Sequence, residues 1–590
     1  MTGIAATPDS AASRFGRRFG RIVLIGSVVF LLAGIAGFSY LRINSSLALL
    51  GGSDRPIAAA SAFVPAESPF TVSLLIEPER LVALSQAVVH PDQRSQARSE
   101  IEQVQQHFQQ ITGLSYERDI QPWLGQEITF ACTEMDLDRD LENGQQPGYL
   151  SIFEIAPGRY EQAQSFLQLF WQRQAIAGKL PAYQTVSGVK ILASQDAQVA
   201  SLTAASALVG RQFVMFANDE RVLRSSIRAA QTAQNLAQSP AYRQRVAALP
   251  DQRVALAYLD ARLLRAAKPL VPMPVVPIPD AAQFIAVSLE AKRDGLMAIA
   301  QLPKPKPLSG GPKTQTNSLG SRVESLWDSK LTNYLPADSE LAVIGKDISE
   351  LSAAWAIAGL PDSLLPKFMR LQPSSAASFA NSLSDPLYED FNQGYALSRV
   401  SYGPSPDWIL AVPREAAQVA ALDQAAMAAG YSVVPVTMDT EGEATAWTRF
   451  TAQGGKRTAA TTTNSPRSNI RSGLESELLG LHLQQGNIEI FASSLTAMDS
   501  ALESQTSDSQ TSDSSLSASP QFVRVTSPLM TARSDAYVYL SWPKIAPIAG
   551  QLFPMLNQVQ AVASPLTNHI DAIAASHDEE TVRLFIQLVE

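Results

Sequence analysis

The chain repeats itself, and this constrains its fold more than any other feature. FVPAESPFTVSLLIEPERLVALSQ, beginning at Phe63, and YLPADSELAVIGKDISELSAAW, beginning at Tyr334, share one plan. Each reads aromatic, apolar, Pro, a short polar patch, an apolar strand and then a helical stretch. Further landmarks recur in the same order: Pro157 with Pro413, Phe216-Ala217 with Phe491-Ala492, Ser239-Pro240 with Ser519-Pro520, Tyr258-Leu259 with Tyr539-Leu540, Pro272-Met273 with Pro554-Met555, and Gln301-Leu302 with Gln587-Leu588. Their spacing drifts only where one copy carries extra residues: the acidic stretch 133–148 in the first, and stretches around 451–473 and 504–518 in the second. Ordered self-similarity at so long a period implies two copies of one structural unit. PKPKPLSGGPKTQTNSLG at 303–320 has the composition of an extended, solvated linker between them.

A second signal lies upstream of the copies. Ile22 to Leu41 contains no charged residue, and as a helix its 20 residues would be about 30 Å long, the thickness of a hydrocarbon core. Arg14, Arg17, Arg18 and Arg21 precede it, whereas only Arg42 and Arg55 follow closely. This bias predicts a cytoplasmic N-terminus and an exported body. A cleaved signal peptide fits less well, because the run is long and Phe38, Tyr40, Leu41 and Arg42 occupy the place of a small-x-small cleavage site. The expected organisation is therefore a basic N-terminus at 1–21, an anchor at 22–41, a juxtamembrane linker at 42–57, a first repeat at 58–302, the linker at 303–320, and a second repeat at 321–590.

Within the repeats the hydrophobic period alternates between two and 3.6. Val72, Leu74 and Ile76 line one face of a strand, and Ile128, Phe130 and Cys132 line another. Ile101, Val104, Phe108 and Ile111 form a helical stripe, as do Tyr160, Ala163, Leu167 and Trp171. FVMFAN at 213–218 reads as a buried strand followed by a helix starting near Asp219. RVALAYL at 253–259, the stretch 284–302 and the alternation of Val582, Leu584, Ile586 and Leu588 read as closing strands. PLVPMPVVPIP at 269–279 reads as extended chain. Strands and helices mix without a regular crossover pattern. The expected fold class is α+β: an N-terminal transmembrane helix followed by two tandem, divergently duplicated α+β domains with mainly antiparallel sheets.

The residues that carry chemistry are sparse. The single cysteine, Cys132, excludes a disulfide framework and a cysteine-rich metal site, and with its strand's apolar side chains it reads as a buried thiol. His569 and His577 stand too far apart on one helix to share an ion. His90 precedes a proline, His107 lies beside its helix stripe, and His482 alternates against Leu481 and Leu483, which predicts that it faces solvent. Asp136, Asp138, Asp140 and Glu142 lack the glycine and terminal glutamate spacing of a calcium loop. There is no nucleophile elbow, no phosphate-binding glycine loop and no dinucleotide fingerprint. Ser-x-x-Lys occurs at Ser187/Lys190, read as strand with the two on opposite faces, and at Ser541/Lys544, interrupted by Pro543. No catalytic residue, cofactor or metal site is predicted. The formal net charge of −9 argues against a nucleic-acid partner.

The order anchor, IAAASAFVP, TVSLLIEPERL and then WLGQEITFA at 123–131 resembles a family of single-span proteins of cyanobacteria grouped by a domain of unknown function. The strings that carry the resemblance are Phe63-Val64-Pro65, the strand before Glu77-Pro78, and Trp123-Leu124-Gly125. The resemblance implies a body in the periplasm or thylakoid lumen and brings no catalytic residues with it. The expected function is a membrane-anchored extracytoplasmic binding or scaffolding protein, non-catalytic, held to the membrane by one helix and engaging a protein or lipid-like partner. The alternative is an exported hydrolase with a motif-less site in the cleft between the repeats. A cleft lined with paired carboxylates or a His–Ser contact would favour the alternative.

Overall fold

The structure is a computed structural model that describes residues 57–75, 109, 114–140, 146–178, 180–194, 203–262, 284–292, 294–301, 330–348, 351, 366–370, 394–403, 405–438, 442–452, 474–505, 514–530, 534, 536–552, 570–577 and 581–588. The first half contributes β1 (Phe70–Leu74), β2 (Leu124–Glu134), β3 (Gly148–Ile155), β4 (Pro181–Val186), β5 (Val189–Ser194), β6 (Ala205–Val209), β7 (Phe213–Ala217), β8 (Ala255–Asp260), β9 (Phe284–Lys292) and β10 (Gly295–Gln301). The second contributes β11 (Leu341–Gly345), β12 (Tyr395–Val400), β13 (Asp407–Pro413), β14 (Ser432–Thr437), β15 (Glu443–Ala452), β16 (Leu474–Gln485), β17 (Ile488–Ala492), β18 (Ala536–Ser541), β19 (Ile570–His577) and β20 (Thr581–Leu588). Among the described residues seven α-helices accompany them: α1 (Tyr160–Ile176), α2 (Glu220–Thr232), α3 (Pro240–Ala247), α4 (Ala416–Ala428), α5 (Leu495–Glu503), α6 (Pro520–Thr526) and α7 (Trp542–Leu552).

All described strand pairs are antiparallel. In the first half they run β4-β5-β6-β7-β3-β2-β1-β8-β9-β10. In the second they run β14-β15-β16-β17-β13-β12-β11-β18-β19-β20, the same order of connections. The two series meet where β10 pairs with β20, with Gly295 opposite Gln587 and Gln301 opposite Thr581. The result is one twenty-stranded sheet.

This corrects the expected fold class. Among the described residues strands dominate, helices are few, and a single antiparallel sheet runs through both halves where an α+β pair of domains behind a transmembrane helix is expected. The physical reason lies in the closing strands. Each reads in the sequence as the end of its own domain, yet a closing strand leaves a row of backbone donors and acceptors unpaired, and β10 and β20 satisfy each other. No helix among the described residues is long and apolar enough to cross a membrane. Ile22, Leu41, Arg14, Arg17, Arg18 and Arg21 lie outside the described residues, as do the linker 303–320, the helical stripe from Ile101 to Ile111 except Gln109, and the extended stretch 269–279.

Both faces of the outer sheet are covered. Met215 of β7 joins α2 and α3 in one core with Leu223, Ile227, Tyr242 and Val246. Its neighbours Val214 and Phe216 point the other way, into a core with Phe166, Leu167, Phe170 and Trp171 of α1. In the second half Ile490 packs with α5 and α6, while Phe491 packs with α4. A strand buried on both faces reads as a continuous apolar run, which explains FVMFA and, apart from the buried Glu489, IEIFA.

Helix starts follow local chemistry. Asp219 caps α2 by accepting from the Arg221 amide, and Ser494 caps α5 by accepting from Ala497. Ser239 and Ser519 each precede a proline at the first position of α3 and α6, where the missing N–H costs nothing. Part of the 504–518 stretch is built into the fold: Leu516 donates its amide to Leu335 O at 2.7 Å, as Leu236 does to Val64 O at 2.9 Å in the first half.

Candidate functional site

The densest group of chemistry-bearing side chains lies in the second half, beneath α4. β16 places His482 opposite Thr445 on one side and Phe491 on the other. Its Nδ1 stands 2.6 Å from Glu489 Oε1 on β17, and its Nε2 stands 3.2 Å from Asp423 Oδ1 on α4. Asp423 Oδ1 also accepts from Trp447 Nε1 at 2.8 Å. Arg414 Nε approaches the other oxygen of Glu489 at 3.3 Å. His482 is 6% exposed and Glu489 2%. Trp447 and Phe491 stack obliquely against the imidazole, with ring centroids 5.4 and 5.6 Å away.

Four elements build this group, so no local motif announces it. The expectation that His482 faces solvent is corrected. Alternation placed it on the face opposite Leu481 and Leu483, and that face is covered by α4. Chemically, the ring has an acceptor at each nitrogen and donates to both when both carry hydrogen. Neither nitrogen faces a hydroxyl or thiol, so the geometry locks the ring in place and does not activate a nucleophile.

The first half has the same position filled differently. Ser206 of β6 stands opposite Phe216, as His482 stands opposite Phe491. Ser206 Oγ accepts from Trp171 Nε1 of α1 at 2.8 Å, so one neutral hydrogen bond replaces the charged cluster.

Two further buried carboxylates belong to the first half. Glu127 accepts from the amides of Ala59 and Ala60 at 2.7 and 2.8 Å and from Thr129 Oγ1 at 3.1 Å, capping the 3-10 turn Ala59–Phe63. Burial raises its pKa above the ordinary 4.5, and these donors offset that only in part. Asp119 accepts from the Ser115 amide at 2.9 Å and from Arg173 at 3.1 Å. Burial alone would raise its pKa, but the Ser115 amide and the guanidinium groups of Arg118 and Arg173 outweigh it and hold the carboxyl below 3.8.

Cys132 is buried, with its thiol turned to Glu134 O at 3.3 Å, and burial pushes its pKa up to about 12. A thiol in that state is a poor nucleophile. Ser187 and Gly188 form a two-residue hairpin turn between β4 and β5 with φ of 52° and 83°. Ser187 is therefore in a turn where strand was expected, with Lys190 on β5. Ser541 ends β18, and Lys544 lies on α7 and donates to Asp338 O. Asp136 and Asp138 accept from the amides of Gln146 and Asp140, ordinary turn bonds, while Glu142 lies outside the described residues. Among the described residues no group of three or more His, Cys, Asp or Glu is placed to hold a metal ion.

No curated protein matches the chain. Crystal form I of TP0453, a solved structure, is 10% identical over 42% of this chain and 81% of that chain, with a TM-score of 0.23, too slight a likeness to speak to fold. A family profile does match, from residue 24 to residue 587, across both halves of the sheet and the His482 cluster. The chain belongs to that family, described as protein of unknown function DUF3352.

Proposed function

We propose that the protein is a non-catalytic binding or scaffolding protein that works outside the cytoplasm, tethered to a membrane by its N-terminal segment. The observation that carries this reading is the twenty-stranded sheet, which makes one continuous platform of both halves while its buried titratable side chains are engaged inside the fold. His482 has both ring nitrogens committed to carboxylates, Glu127 has both oxygens committed to amides, and the Cys132 thiol is buried. Such groups stiffen a platform; catalysis needs them poised at a surface that substrate reaches. The charge-free run from Ile22 to Leu41 and the preceding arginines support the tether and the export of the body. The resemblance noted above supports the periplasm or thylakoid lumen as the compartment.

The test is purification of the tagged full-length chain from its own membranes in mild detergent, with mass spectrometry of what is retained. A stoichiometric protein or lipid supports the reading. A clean chain that hydrolyses ester, peptide or glycan substrates overturns it. A reporter fused after Glu590 is expected to be active only in an exported compartment.

A further inference from the structure

The two ends of the sheet occupy equivalent places in the two halves and differ in what they offer. β4 pairs only with β5 and β14 only with β15 among the described residues. Tyr183 of β4 lies in register with Leu192 and Ser206, and Pro435 of β14 lies in register with Thr445 and His482. Tyr183 and Pro435 therefore hold the same position. Proline removes a backbone donor from an edge, a standard way of blocking strand addition. The β14 edge is blunted in this way. β4 has its proline only at its first residue, Pro181, and carries no charged side chain.

Around the unblunted edge large apolar side chains are exposed, with the Lys190 ammonium of β5 over the Tyr183 ring at 4.5 Å. Tyr183 is 69% exposed, Leu180 just before the strand 69%, and Ile176 at the end of α1 88%. The register that joins Tyr183 to Ser206, and the Trp171–Ser206 hydrogen bond, place Tyr183 on the α1 side of the sheet. Beside it Gln184 accepts from Arg224 at 3.3 Å, while its Nε2 is buried with no hydrogen-bond partner among the described residues.

We propose that β4 is an interaction edge that pairs antiparallel with β4 of a second copy of this chain. The molecule already joins its halves in this way: β10 and β20 meet with Gly295 opposite Gln587 and Gln301 opposite Thr581, an isologous pairing of equivalent strands. A two-fold axis normal to the sheet keeps α1 of both copies on one face, so Ile176, Leu180 and Tyr183 of each meet those of the other. Opposed residues in an antiparallel pair share a face, so the register that pairs Ala182 to Val186 centres on Gln184. Each Gln184 then faces its own counterpart. The strand itself carries no charged side chain to oppose its own copy. The proposal is independent of what the platform binds.

The test is disulfide trapping in the full-length chain in its own membranes. Opposed residues in an antiparallel pair have α-carbons about 4.5–5.5 Å apart, within disulfide reach. Under mild oxidation Gln184→Cys is expected to give a covalent dimer of twice the chain mass. Tyr183→Cys and Thr185→Cys, which oppose each other and not themselves, are expected to give far less, and the wild type, with Cys132 buried, none. In detergent, Tyr183→Pro, which copies the blunted edge, and Gln184→Lys, which brings like charges together, are each expected to weaken dimerisation at least ~10-fold with unchanged circular dichroism. A monomeric wild type overturns the proposal. So does a Gln184→Cys adduct with a different protein, or a dimer that neither edge variant weakens.

Discussion

Ile299 and Arg583 face each other across the β10·β20 pair, and the strand registers of the two halves make each the other's equivalent. The residues to either side obey the same exchange, Ala298 opposite Leu584 and Ala300 opposite Val582. The pseudo-two-fold axis of the molecule therefore passes through a strand pair. Integrity of the sheet depends on the backbones of β10 and β20 coming close along their whole length.

Gly295 tests that dependence. A Cβ built there would stand 2.1 Å from Ile586 O, a backbone atom that moves only if the strands part. Gly295→Ala is expected to lower stability by about 1–3 kcal/mol through forced separation of β10 from β20. Gly403→Ala, where a Cβ meets nothing within 4 Å, is expected to be near neutral. Urea unfolding of the two variants beside the wild type decides the matter; equal midpoints would show that the junction is pliable.

The His482 cluster predicts strong coupling. Removing one member of a buried charged group leaves the others unpaired, whereas replacing the group with apolar side chains removes the problem altogether. His482→Leu or Glu489→Leu alone is expected to cost about 2–4 kcal/mol, and the double variant less than the sum of the two. A double-mutant cycle measures the coupling. Simple additivity would mean that the 2.6 Å contact between Nδ1 and Oε1 contributes nothing beyond packing.

These two sites show what local sequence conveys. A continuous apolar run located FVMFA as β7, alternation located Val582 to Leu588 as β20, and the 3.6-residue period located the α1 stripe from Tyr160 to Trp171, because burial writes the period of each element into its sequence. The same alternation misplaced His482, since it separates the two faces of a strand and is silent on whether the second is covered. The meeting of Ala298 with Leu584 is a pairing between distant strands, and periodicity within either strand carries no trace of it. Asp423, Trp447 and Glu489 lie on separate elements and Arg414 on a loop, so their convergence on His482 is equally invisible before the fold is known.

Asp119 predicts an acid limb in the stability profile. Its folded carboxyl lies below the ordinary 3.8, so the stability it contributes is present above that value and is lost as pH falls through the folded one. Asp119→Asn is expected to cost about 1–3 kcal/mol at neutral pH, because Ser115 and Arg173 lose a charged acceptor. The penalty is expected to shrink in acid, as pH falls through the folded value and the wild-type carboxyl takes up its proton. Urea midpoints of both proteins at neutral and acid pH test this, and a penalty constant with pH would remove Asp119 from the account.

Glu127 carries the opposite sign. Burial lifts its folded pKa above 4.5, so the native state holds the proton more tightly than the unfolded chain does. Its favourable contribution is complete below about 4.5 and declines as pH rises through the folded value. In Glu127→Gln the side-chain oxygen still accepts from one amide of the Ala59–Phe63 turn, while the new NH2 group confronts the other. The variant is therefore less stable at every pH, but its deficit is expected to be larger near pH 4 than at pH 7, the reverse of the trend for Asp119→Asn. Urea midpoints followed by tryptophan fluorescence across that range read the difference directly. A deficit that grows toward neutral pH would mean that the amides of Ala59 and Ala60 dominate over burial and hold Glu127 ionised in the folded protein.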